Sequence, residues 1–191
     1  MSTPPRPLVS VVTPCLNAVD RIERCLRSVA EQTYEHIEHI VVDAASTDGT
    51  LDVLARFPAV RWISEPDRGQ SDALNKGFRL ASGDVLGWLN ADDVLKPDAV
   101  CLVVEALERR PGAGWAYGDL EVVERGNAVR QAAPASVSLE LLDGGDPVPQ
   151  PGSFITRWAL ETIGEIDESL QLAMDFDLWV RLLSAGVPGT Y

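Results

Sequence analysis

Apolar strand-like runs and amphipathic helix-like stretches alternate through the first 110 residues of this 191-residue chain. "LVSVVTP" (8–14) is rich in β-formers and stops at Pro14. Asp20 then stands where it would cap a helix with Ile22, Leu26 and Val29 on one face. "IEHIVVDAAS" (37–46) is a second strand running into a polar turn, and 50–57 reads as a short helix ended by Pro58. "VRWIS" (60–64) is a third strand, followed by a helix over 71–81 with Leu74, Phe78 and Ala81 on one side. "DVLGWL" (84–89) is a fourth strand, and after Pro97 a helix turns Val100, Val104 and Leu107 inward. Such alternation predicts an α/β protein with an open, mostly parallel sheet covered on both faces by helices.

Open α/β sheets bind ligands beyond the carboxyl ends of their strands. Asp43 ends the second strand, and the fourth runs into "LGWLNADDVL" (86–95), where Asp92 and Asp93 follow a buried-looking run. Three carboxylates are therefore expected at one rim. Adjacent carboxylates repel and are costly to desolvate. A divalent ion shared with a phosphate group would resolve the conflict, since Mg²⁺ and Mn²⁺ favour one or two carboxylates with phosphate and water completing the shell. The alternative is a loop whose Asp caps the next helix. Because Asp43 ends a strand at that ligand-binding edge, replacing it is expected to weaken ligand binding with little effect on stability.

The remainder is less regular. Residues 115–131 read as a hairpin around Gly126-Asn127, 143–154 as a Gly- and Pro-rich loop, and 174–186 as a last helix stopped by Gly186. "EPDRGQSDALNKG" (65–77) gathers polar groups around a turn, in which Arg68 or Lys76 could meet phosphate or Ser71 or Asp72 simply cap a helix. Asp175 and Asp177 sit at the start of the last helix, where a carboxylate serves either as a base or as an ordinary first-turn residue.

Several function classes are excluded. A net charge of −13 argues against nucleic acid held through its phosphates. No apolar run reaches a membrane span, and the start lacks a signal-type apolar segment, so a cytoplasmic protein is expected. Cys15, Cys25 and Cys101 are too scattered for a disulfide framework or metal knuckle and read as buried small hydrophobes. His36 and His39 read as surface or sheet-edge residues, which leaves no zinc site. The five tryptophans read as packing. No P-loop lysine motif, no G-x-G-x-x-G after the first strand and no G-x-S-x-G elbow occurs. An acidic rim serving phosphoryl transfer would need a phosphate-cradling loop that is not evident.

Taken together, "VSVVTPCLNAVDRIERCLRSVAEQTY", "EHIVVDAASTDGT", "SEPDRGQSDALNKGFRLASGDVLGWLNADD", "QPGSFITR" and "IGEIDESLQLAMDFDLWVRL" resemble, in order and spacing, the inverting family-2 glycosyltransferases of the GT-A fold. The resemblance runs almost end to end. It implies a Rossmann-like open sheet within a single domain, 1–191. Residues 1–110 would form the nucleotide-sugar-binding half and 111–191 a small antiparallel, loop-rich acceptor and catalytic-base half. Relatives usually continue beyond the base helix.

The resemblance further implies a sugar moved from a nucleoside diphosphate donor, most often a UDP-sugar, to a hydroxyl acceptor in cell-surface polysaccharide or glycoconjugate synthesis. Mn²⁺ or Mg²⁺ would be the cofactor, with no nucleic acid partner, no transmembrane segment and room for peripheral membrane contact. By resemblance Thr13 and Asp43 lie against the base, Asp72 lies in the same pocket, and Asp92 faces the ribose or diphosphate. Asp93 coordinates the metal, and Asp175 is the catalytic base. Cys15 stands where relatives often carry an aromatic or small polar residue, and Met174 where an acidic residue is common. The same motifs without turnover would describe a nucleotide-sugar-binding module.

Overall fold

The structure, a computed structural model, describes residues 6–124, 127–170 and 172–191. Its centre is a seven-stranded sheet. β1 (Val9–Cys15), β2 (Ile37–Asp43), β3 (Arg61–Ser64) and β4 (Val85–Trp88) are parallel. They lie in the order β3-β2-β1-β4. The sheet continues through β8 (Phe154–Thr156), β5 (Trp115–Ala116) and β9 (Gly189–Thr190). β8 pairs antiparallel with both β4 and β5, and β9 runs parallel to β5. β8 is thus the one reversed strand of the sheet.

Both faces are covered, as the alternation predicts. On one face α1 (Ile22–Ala30), α2 (Thr50–Leu54) and α4 (Ala99–Arg109) pack Cys25, Leu26, Val53, Leu54 and Val100 on Val9, Val11 and Val41. On the other, α3 (Gln70–Leu80) and α7 (Met174–Ser184) pack Leu74, Phe78, Leu178 and Trp179 on Val12, Ile40, Val42 and Leu86. Trp179 stacks on Trp115 with ring centroids 5.0 Å apart. Gly77 lets α3 close on β1: a Cβ there would lie 2.2 Å from Val12 Cγ1. Two short helices, α5 (Leu139–Leu142) and α6 (Arg157–Ile163), flank β8 in sequence. Among the described residues no helix is long and apolar enough to cross a membrane.

The second half departs from its sequence reading in three places. The hairpin is confined to β6 (Leu120–Glu124) and β7 (Asn127–Gln131), outside the main sheet. Trp115 instead enters the main sheet, where it is fully buried. The expected turn residue Gly126 lies outside the described residues. The loop-rich stretch holds a 3-10 turn, Gln150–Gly152, and β8 follows it. Gly186 does end α7, with φ 71° and a bond from the Val187 N–H to the Leu182 carbonyl.

Two side-chain expectations also change. Asp20 does not cap α1, whose N-cap is Arg21 with no side-chain bond. Instead the β2–α2 loop holds the approach to α1. Asn17 N–H donates to Ser46 Oγ at 2.7 Å, Ala18 N–H to Thr50 Oγ1 at 2.9 Å and Val19 N–H to Asp48 Oδ2 at 3.1 Å. His39 is not a surface residue. It is buried under α1 because β2 is covered on both faces, and its Nε2 lies 2.9 Å from Thr13 Oγ1. Cys15 and Cys25 are buried as expected, whereas Cys101 is partly exposed.

Candidate active site

A cavity of about 420 Å³ opens at the carboxyl edge of the parallel strands. Its walls come from Pro14, Cys15, Leu16, Ala18 and Arg21 after β1 and from Ala44 after β2. Asp67, Gly69 and Gln70 before and at the start of α3 add to them, as do Asn90, Ala91 and Asp92 after β4. From β1 the chain moves toward β2 and β3, and from β4 it moves toward β8 and β5 at the other edge, so the strand order reverses between β1 and β4, and this is the switch point at which such sheets hold ligands. Two non-glycine residues in the loops around it, Asn17 and Ala45, take positive φ of 47° and 58°. Such conformations cost on the order of 1 kcal/mol each and persist only where surroundings impose them.

From the cavity wall at Gln70 and Asn90 an amide network runs from α3 to the 3-10 turn. Trp88 Nε1 can only donate, and it donates to Asn90 Oδ1 at 2.8 Å. That assigns the Asn90 amide, whose oxygen also accepts from Gln70 Nε2 at 2.6 Å. Asn90 Nδ2 then donates to Asp93 Oδ2 at 3.1 Å and to Gln150 Oε1 at 3.3 Å. Gln150 closes the circuit by donating from Nε2 to the Trp88 carbonyl at 2.8 Å. Asn90 and Gln150 were missed by sequence reasoning, which read Gln70 only as one of the polar groups gathered around the turn in 65–77. The one signal was Trp88, whose indole N–H at a strand end requires an acceptor nearby.

Asp92 and Asp93 differ in setting. Asp92 is exposed at the cavity wall, 3.6 Å from Arg21 Nη1. Asp93 is partly buried, accepts from Asn90, and has no basic side chain within 4.0 Å among the described residues. Burial, and after it the charge of Asp92, pushes its carboxyl above the ordinary aspartate range. No group of three or more His, Cys, Asp or Glu side chains is placed to hold a metal among the described residues. The pair does supply two hard oxygen donors, the number Mg²⁺ or Mn²⁺ commonly takes when phosphate oxygens complete its shell. The residues fit a metal that arrives with a diphosphate rather than one caged by protein.

The remaining predicted site residues lie one layer back. Asp43 is fully buried. It accepts from Ser46 N–H at 2.9 Å, Ser46 Oγ at 2.5 Å and Ser64 Oγ at 2.7 Å. It therefore shapes the turn carrying Ala44 to the cavity. Thr13 is fully buried, its hydroxyl turned toward His39 and Cys25 under α1. Asp72 reaches back from the first turn of α3 to the Arg68 N–H at 3.0 Å and pairs with Arg68 and Lys76. The two cations that sequence reasoning offered to a phosphate are thus engaged: Arg68 also pairs with Glu168, and Lys76 with Glu65. Cys15, walled between Asp43 and the cavity, has its thiol pushed up to about 12, first by burial and then by the Asp43 charge.

Asp175 is the second residue of α7, partly exposed, with Oδ1 accepting its neighbour Phe176 N–H at 2.9 Å. Its helix starts from Ala173, a non-glycine residue at φ 58°. Asp177 is bound to Arg181 at 2.7 Å along the helix. The segment before α7 is pinned by α3. Asn75 exchanges two bonds with the Ile166 backbone, at 2.9 and 3.0 Å, and Ser71 donates to the Leu170 carbonyl at 3.2 Å. Asp146, in the loop after α5, is raised by burial first, opposed by its Val148 N–H bond, and raised further by the charge of Asp175. The second half thus carries acidic groups separate from those of the cavity.

Known proteins share the sequence pattern and the fold of this chain. A family model described as glycosyl transferase family 2 matches residues 10–133. An uncharacterized glycosyltransferase of Mycobacterium tuberculosis is 36% identical over 181 residues, covering 92% of this chain and 68% of that protein. Chondroitin synthase of Escherichia coli is 33% identical over 187 residues, covering 94% of this chain but only 27% of the synthase. Among solved structures, a mannosyltransferase of Pyrobaculum calidifontis in complex with GDP-Man and Mn²⁺ superposes with a TM-score of 0.76 at 24% identity, covering 98% of this chain and 55% of that one. S. aureus TarS in complex with UDP gives 0.79 at 17% identity, covering 96% and 57%.

Proposed function

This chain belongs to glycosyltransferase family 2, with the GT-A fold, and on that premise we propose that it transfers a sugar, with inversion, from a nucleoside diphosphate donor to a hydroxyl acceptor. One observation carries the reading. Asp93 is a partly buried carboxylate with no basic side chain within 4.0 Å among the described residues, directly behind Asn90 and Asp92 of the switch-point cavity wall. A folded domain keeps such a group where something positively charged is to arrive.

In this reading the nucleoside lies in the cavity against Leu16, Ala44 and Gly69. Asp43 and Asp72 shape that wall from behind through the bonds described above, while Thr13 lies buried in β1 just before Pro14 and Cys15 of the wall. Asp92 faces the ribose or diphosphate, and Asp93, aligned by Asn90, would hold Mn²⁺ or Mg²⁺. A bound divalent ion would supply Lewis-acid stabilisation of the diphosphate leaving group. Asp175 would take the proton of the acceptor hydroxyl as that oxygen attacks the anomeric carbon from the face opposite the diphosphate. The pinning of 166–170 by Asn75 and Ser71 supports a fixed start for α7.

Mn²⁺ is supported by the neighbour solved with that ion, and both uracil and guanine donors by neighbours solved with UDP and GDP-Man. The chondroitin synthase relative supports a role in polysaccharide or glycoconjugate synthesis. The division into a donor half, 1–110, and an acceptor half, 111–191, is part of the same proposal. Incubation with Mn²⁺ and a panel of nucleotide-sugars and sugar acceptors tests it. Release of nucleoside diphosphate with one donor is expected; binding without release would favour the non-catalytic nucleotide-sugar module.

A further inference from the structure

We propose that Arg21 is a phosphate-contacting residue of the cavity, held on Asp92 until the diphosphate of the donor takes it over. This rests on the donor reading above and adds to it a residue that no motif identified.

Arg21 is the one cationic side chain lining the cavity among the described residues, and the other charged groups there, Asp67 and Asp92, are acidic. A diphosphate entering beside Asp92 and Asp93 adds negative charge to a rim that already repels it. Arg68 and Lys76 are engaged with Asp72, Glu65 and Glu168. Arg21 is held only loosely. Its Nη1 lies 3.6 Å from Asp92 Oδ2, beyond hydrogen-bond distance, and the two side chains are 60% and 57% exposed. Such pairs contribute little in water and exchange easily.

The backbone of Arg21, by contrast, is fixed. Its N–H donates to the Ala18 carbonyl at 2.9 Å, and it is the N-cap of α1 with no capping job for its side chain. A guanidinium on an anchored backbone, facing a cavity, presents a fork that matches phosphate oxygens. The exchange is balanced: a screened contact with Asp92 is replaced by charge-assisted bonds to phosphate, and Asp92 is released toward the ribose.

Calorimetric titration of UDP and GDP, each against its parent nucleoside, into wild type, Arg21→Ala and Arg21→Lys in the presence of Mn²⁺ tests this. Arg21→Ala is expected to weaken the diphosphate on the order of tenfold, as loss of a charge-assisted contact does. The nucleoside should be unaffected, Arg21→Lys should fall between, and the salt dependence of diphosphate binding should shrink. Undiminished diphosphate binding by Arg21→Ala would overturn the proposal. So would an equal loss for nucleoside and diphosphate, which would mark a damaged wall rather than a lost phosphate contact. If wild type bound neither diphosphate, the donor reading itself would fall, a result distinguishable from failure at Arg21 alone.

Discussion

Asn90 donates from Nδ2 to Asp93 Oδ2 at 3.1 Å, and the orientation of that amide is set by the indole of Trp88 on its other side. The position of the Asp93 carboxylate is therefore tied to strand β4 and not only to its own loop. Asn90→Ala should strand the Trp88 N–H and the Gln70 amide. A loss of about 1–3 kcal/mol in urea unfolding is expected, as for a buried donor left unpaired. Weaker Mn²⁺-dependent nucleotide binding should accompany it. Unchanged stability would mean that water replaces the amide and that Asp93 is aligned by other means.

Asp43 changes role once its surroundings are seen. From sequence it is a rim carboxylate free to meet a base, whose removal would hardly affect stability. In the structure it accepts three bonds and is fully buried. Asp43→Ala leaves one N–H and two hydroxyls without their acceptor, so a loss of about 2–4 kcal/mol is expected in chemical denaturation. Nucleotide affinity should fall with it through the displaced Ala44 turn. An unaltered unfolding midpoint with abolished nucleotide binding would restore the direct contact.

The parallel half of the fold was legible because its periodicities are long and bounded by Pro14, Pro58 and Pro97. β8 was not, since three residues between a Gly-Pro loop and a helix offer no period to count. Trp115–Ala116 was drawn into the neighbouring hairpin for the same reason. At the site, the carboxylates announced themselves by adjacency and by position at strand ends. Asn90, Gln150 and Arg21 did not, because a lone amide or guanidinium in a loop acquires meaning only from partners distant in sequence. His39 was misjudged because a strand covered on both faces leaves its polar residues no surface.

That buried histidine has a measurable consequence. Burial holds His39 down to about 4 from its ordinary 6.5. The unfolded chain binds the proton first, so this residue costs stability as pH falls through that window and nothing above it. Between about pH 7.5 and pH 5 the cost is on the order of 2 kcal/mol. Urea denaturation of His39→Gln, which keeps a partner for Thr13, should show a shallower loss over that interval than wild type. Parallel pH profiles would show that His39 is protonated in the folded state.

Asp175 and Asp177 separate catalysis from helix stability. Asp175→Asn keeps the size of the side chain, so α7 should survive while kcat falls on the order of 10²–10⁴, as for a lost general base. Donor affinity should hardly change, since Asp175 does not line the cavity. Asp177→Asn removes only the pair with Arg181, worth about 0.5 kcal/mol to the helix, with little effect on kcat. A near-normal kcat in Asp175→Asn, or a larger loss in Asp177→Asn, assigns the base elsewhere.

The most direct test of the donor site is calorimetric titration of UDP and GDP, with and without Mn²⁺, into wild type and Asp93→Asn. Loss of one charged oxygen at a partly buried position leaves the core untouched, so the variant should unfold close to wild type. Wild type should bind one of the two diphosphates more tightly with Mn²⁺ present, and Asp93→Asn should lose most of that metal-dependent gain. Equal Mn²⁺-dependent affinity in the two proteins would contradict the account.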